Sequence, residues 1–77
     1  MFFNYPVMKN SESQLTERET AVLKLQMKGL SHKMIAAELK ISIDTVRTHI
    51  RHIHTKTGMG SGSEVIKWGY DNGFNQE

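Results

Sequence analysis

The sequence predicts a small all-α domain of four short helices, on three observations. Apolar residues in its central part recur at spacings of three and four, a hydroxyl residue able to cap a helix stands before each apolar run, and no segment alternates with the two-residue period of a strand. With 77 residues and no cysteine, one simple core must hold the fold without disulfides or thiolate-bound zinc. That size leaves no room for a second domain or a sizeable substrate cavity.

Residues 1–14 show no helical period and contain Pro6 and the polar run Lys9-Asn10-Ser11-Glu12-Ser13-Gln14, which predicts a flexible tail or linker. The opening MFFNYPVMKN is apolar, but it lacks a basic leader region and is far too short to span a bilayer. A soluble, cytoplasmic protein with no membrane partner is therefore expected.

The domain proper is expected over residues 15–73, with 74–77 as a C-terminal tail. Thr16 followed by Glu19 is a capping-box pattern, and it opens a helix running through Val22, Leu23 and Leu25 to Gly29, where a left-handed turn is cheapest. Ser31 caps a second, short helix whose buried side is Ile35, Ala36 and Leu39. Ser42 caps the third almost at once, over about residues 43–56, with Asp44 in the first turn where the helix dipole favours an anion. Ile43, Val46, Ile50 and Ile53 form its narrow apolar stripe. Gly58-Met59-Gly60-Ser61-Gly62 ends that helix, and Ser61 or Ser63 caps a fourth carrying Val65, Ile66, Trp68 and Tyr70, closed by Asn72-Gly73.

The formal net charge is only +2, but residues 31–60 hold Lys33, Lys40, Arg47, Arg51 and Lys56 against Glu38 and Asp44, together with all four histidines. On a helical wheel the third helix opposes its apolar stripe with Asp44, Thr48, Arg51, Thr55 and, at one edge, His52. Arg47 lies near one boundary of the stripe, and Thr45, His49 and Lys56 lie near the other. Arginine and threonine donate to base edges and phosphates, so two helices joined by a short turn, the second carrying this face, read as a helix-turn-helix. The competing reading is a small helical protein-interaction module, for instance in a sigma-factor-like assembly.

His49 and His52, at i and i+3, could begin a metal site, but zinc needs further ligands and neither a cysteine nor a suitably spaced carboxylate supplies them. No metal site is expected. Serine and histidine occur only as helix caps and groove-face residues, so no catalytic residue is assigned. Trp68, Tyr70 and Phe74 read as core or dimer interface, and Met27 and Met34 as gap-filling core or surface residues.

The segments LTERETAVLKL, GLSHKMIAAELKIS and DTVRTHIRHIHTKTGM resemble the LuxR/GerE-type DNA-binding domain, the effector module also found on NarL/FixJ-class response regulators. The resemblance covers about residues 15–70. It implies a tetrahelical helix-turn-helix bundle, unrelated to winged-helix proteins, that regulates transcription by placing its third helix in the major groove of double-stranded DNA. Arg47, Thr48 and Arg51 then match the positions that touch bases. Ser31, His32, Lys33, Thr45, His49 and Lys56 match positions suited to phosphate contact. Val65, Ile66 and Trp68 lie on the helix through which a homodimer would form, and RNA polymerase is a further expected partner. No cofactor or small-molecule ligand is implied.

The chain departs from the family pattern at several places. Met34 and Ala21 replace acidic residues, Thr57 stands where a core leucine is usual, and Gly62 replaces an arginine. Gly69 interrupts the last helix at a cost of roughly 1 kcal/mol against alanine.

Overall fold

A computed structural model describes residues 15–76, and its helices are α1 (Glu17–Met27), α2 (His32–Leu39), α3 (Ile43–Thr57) and α4 (Gly62–Asp71), with no strand among the described residues. The expected tail over 1–14 lies outside the described residues.

Each helix begins where a hydroxyl can replace a missing backbone acceptor. Thr16, Ser31, Ser42 and Ser61 are extended and accept hydrogen bonds from the amides of Glu19, Met34, Thr45 and Glu64 at 3.0–3.3 Å. Such caps are worth about 1 kcal/mol each. The Glu19 carboxylate also takes the Thr16 amide at 3.0 Å, completing the capping box.

Three of the helices end in the same way, with a left-handed residue that lets the next amide bond back five residues. Leu30 N–H reaches Leu25 O past Gly29, Ile41 N–H reaches Ala36 O past Lys40, and Phe74 N–H reaches Gly69 O past Gly73. Lys40, with φ of 60°, is the one described non-glycine residue with positive φ.

The core joins Val22 and Leu23 of α1, Ile35 and Ala36 of α2, Val46, Ile50 and Ile53 of α3, and Val65 of α4. Leu39, Ile43 and Leu25 pack at its edge, half-buried. Helices α1 and α3 each touch all three others, and α4 packs more on α1 than on α3. This arrangement clamps the back of α3 and leaves its front free.

Phe74 is not tail. It is 3% exposed and lies 5.2 Å, centroid to centroid, from the Trp68 ring. The amide that returns to Gly69 carries this side chain inward, so the domain extends past Gly73.

Gly69 also has a packing reason. A Cβ there would lie 2.6 Å from Met27 Sδ, so the absent side chain is the space that lets α4 settle against the end of α1. Tyr70 Oη adds a donated bond of 3.4 Å to Met27 O. At the position of the usual leucine, the Thr57 hydroxyl donates to Ile53 O at 2.8 Å and accepts from the Met59 amide at 3.3 Å, so it enters the core margin without an unmet polar group.

Candidate nucleic-acid interface

Burial of Val46, Ile50 and Ile53 fixes the rotation of α3. It turns Asp44, Arg47, Arg51, His52 and Thr55 out as exposed residues, with Thr48 and His49 half-buried at the flanks. Arg47 Nη1 is 3.5 Å from Asp44 Oδ1, but the two side chains are 62% and 93% exposed. A pair this open is worth little and gives way easily to a stronger anion. Arg51 is exposed and has no salt-bridge partner among the described residues.

The starts of α2 and α3 supply a second set of groups. Ser31, His32 and Lys33 are all exposed at the start of α2. Ser31 Oγ accepts from the Met34 amide, so its own hydroxyl hydrogen is still available to donate. Thr45 Oγ1 accepts from Ser42 Oγ at 2.9 Å and likewise keeps its donor. Hydroxyl and ammonium donors next to two helix N-termini suit an anion such as a phosphate.

Lys56 stands apart from this open set. Its Nζ lies 2.8 Å from Glu19 Oε1, and Glu19 Oε2 lies 3.4 Å from His52 Nδ1. Glu19 is only 3% exposed, so one carboxylate both caps α1 and holds the C-terminal half of α3. Burial pushes its carboxyl pKa up, but the Lys56 hydrogen bond, the Thr16 amide, the Lys56 charge and His52 together outweigh that and lower it below the ordinary carboxylate value. The capping box reveals Glu19 from sequence. Its partners 33 and 37 residues away had no local signal.

The remaining histidines divide by environment. His49 Nδ1 is buried with no hydrogen-bond partner among the described residues. A buried orphan N–H is rarer than an orphan lone pair, so in the neutral ring the proton belongs on Nε2. His54 Nδ1 faces Met59 O at 2.9 Å, and since a carbonyl only accepts, Nδ1 is the donor. No local sequence pattern marked His54 for a contact. It nevertheless fastens the turn between α3 and α4.

The expected dimer residues do not form one open surface. Val65 is fully buried inside the domain, which corrects its expected place in a dimer contact, while Ile66 and Trp68 are half-buried. No group of three or more His, Asp or Glu side chains among the described residues could hold a metal ion. No described helix is long and apolar enough to cross a membrane.

Comparison with known proteins places these features in a family. Residues 13–68 match the model for bacterial regulatory proteins of the luxR family. The nitrate/nitrite response regulator protein NarL of Escherichia coli strain K12 is 38% identical over 65 residues, covering 84% of this chain and 30% of NarL. The transcriptional regulatory protein YdfI of Bacillus subtilis is 41% identical over 58 residues, covering 75% of this chain and 27% of its own length. The HTH-type transcriptional regulator MalT of Serratia proteamaculans is 40% identical over 55 residues, which are 71% of this chain but 6% of MalT. The chain thus spans less than a third of the length of these curated relatives. No solved structure matches it significantly.

Proposed function

The chain belongs to the luxR family of bacterial regulatory proteins as one of its DNA-binding domains, and we propose that it reads double-stranded DNA sequence-specifically with α3 in the major groove. The observation that carries this reading is the Arg47, Thr48 and Arg51 face, held outward by the buried isoleucines and valine behind it. Arg51 would pair with a guanine edge, Thr48 with a base edge or thymine methyl, and Arg47 would exchange Asp44 for DNA.

Ser31, His32, Lys33 and Thr45 would fix the duplex through its phosphates. His49 would join them through Nε2–H, the donor left by its buried Nδ1. Lys56 would contribute less, because Glu19 already takes one of its three donors. The relatives' names as regulators support a role in transcription, either for this chain or for a longer protein that contains it. That role is cytoplasmic and calls for neither catalysis nor a cofactor. A second copy would meet α4 through Ile66 and the edge of Trp68, and RNA polymerase is the natural further partner of a DNA-bound regulator.

Selection from a random duplex library tests the reading. The expected result is one enriched motif, repeated as inverted half-sites about one helical turn apart if α4 dimerises the domain. Recovery of unenriched sequence would overturn specific recognition, and isolated half-sites would overturn dimerisation. Most of the affinity should come from phosphate contacts and fall steeply with salt.

A further inference from the structure

His52 belongs neither to the three residues that face the bases nor to the set that suits phosphate, yet its surroundings on α3 are specific. Thr45 lies two turns before it and Lys56 one turn after it, on the same strip of the helix. Its side chain is 51% exposed, and its Nδ1 lies 3.4 Å from Glu19 Oε2. The carboxylate is a fixed point. It is buried, and its other oxygen, Oε1, already takes the Lys56 ammonium at 2.8 Å and the Thr16 amide at 3.0 Å. The ring is therefore the partner that is oriented.

A carboxylate oxygen only accepts, so in the neutral ring the hydrogen belongs on Nδ1. Nε2, across the ring, then carries a lone pair and points away from Glu19. We infer that His52 is a further phosphate contact of α3, oriented by Glu19, which donates from Nε2 only when the ring carries both protons. The contact rests on the major-groove reading of α3.

The chemistry follows from what Nε2 presents. As a lone pair it repels a phosphate oxygen, and as an N–H it makes a charge-assisted hydrogen bond. The second proton comes from solvent and stays on the ring, which then sits between two anions, Glu19 at Nδ1 and the phosphate at Nε2. Glu19 is the group of α1 that faces the ring. On α3 itself Arg51 precedes it, Lys56 follows one turn on and His49 stands one turn back, and the two cations oppose the second proton. Among the described residues, α2 and α4 place no carboxylate within ion-pairing distance of the ring. The duplex thus supplies the second anion, and by linkage proton uptake and duplex binding strengthen each other.

Anisotropy titrations at pH 6, 7 and 8 and fixed ionic strength test this with wild type, His52→Gln and Glu19→Gln, each on the selected and the scrambled duplex. His32, His49 and His54 are common to all three proteins, so their share of any pH dependence is common as well. From pH 8 to pH 6, wild-type affinity should gain about three- to tenfold more than that of either variant. The excess should be equal on both duplexes, because a phosphate carries no sequence. The same gain in wild type and His52→Gln would overturn the contact, and the same gain in wild type and Glu19→Gln would overturn the orientation by Glu19. An excess confined to the selected duplex would overturn phosphate as the acceptor, since a base edge would then receive the proton. Absence of any preference between the duplexes in wild type at every pH is a separate failure, which would overturn the groove reading itself and this contact with it.

Discussion

Replacing Glu19 with glutamine isolates what the buried carboxylate does for the recognition helix. Glutamine keeps the shape and can still serve in a capping box, so the change removes the charge that Lys56 meets at 2.8 Å and His52 at 3.4 Å. The carboxylate side chain is 4% exposed and the lysine 32%. The pair therefore falls between an exposed ion pair, worth about 0.2–1 kcal/mol, and a fully buried one, whose breakage costs about 3–5 kcal/mol. We expect Glu19→Gln to destabilise the domain by about 1–2 kcal/mol at pH 7, roughly 5–15 °C in Tm for a domain this small.

The pH dependence supplies a second check on the same variant. The folded carboxyl sits below its ordinary value of 4.5, so its contribution is fully present above that pH and is lost as pH falls through the lowered folded value. The gap between wild type and Glu19→Gln in urea denaturation should therefore narrow at acid pH. An equal gap at pH 7 and pH 3, or no gap at pH 7, would refute the charge-based reasoning.

Other expectations follow from single contacts. Lys40 holds a left-handed conformation that costs a non-glycine residue about 1–2 kcal/mol, partly offset by the extra chain entropy glycine loses. Lys40→Gly should thus stabilise by about 0.5–1 kcal/mol in denaturant melts, and a loss would contradict that strain. Gly69→Ala should gain roughly 1 kcal/mol of helix propensity when Met27 is also alanine, and less than that, or a net loss, when Met27 is intact. Identical effects in both backgrounds would remove the packing reason for the glycine. Lys56→Ala should weaken duplex binding less than Lys33→Ala does, since Glu19 competes for the Lys56 ammonium. The reverse order in a binding titration would show that DNA wins that lysine.

What was legible in the sequence was what is local. Thr16, Ser31, Ser42 and Ser61 act within one turn of themselves, so their caps could be read directly, and the 3-4-3 spacing of Ile43, Val46, Ile50 and Ile53 fixed which side of α3 turns inward. Exposure of Arg51 follows from that same geometry, whereas Arg47, which the wheel sets near the boundary of the stripe, is exposed as well. The contacts that escaped are set by tertiary packing. Lys56 looked free because Glu19 is 37 residues away, Gly69 looked only like a weak helix former because Met27 lies on another helix, and Lys40 gave no glycine to mark its turn. Phe74 followed an apparent stop signal, yet an apolar residue just past a left-handed glycine is the usual hydrophobic partner of such a helix end. That signal was present in the sequence.

The central claim is that α3 reads bases while the start of α2 holds the backbone. Fluorescence anisotropy of Arg51→Ala and Lys33→Ala, each on the selected duplex and on a scrambled one at fixed salt, tests it most directly. Arg51→Ala should cost about 1–3 kcal/mol on the selected duplex and little on the scrambled one, whereas Lys33→Ala should weaken both alike. Equal losses on both duplexes for Arg51→Ala would contradict the account.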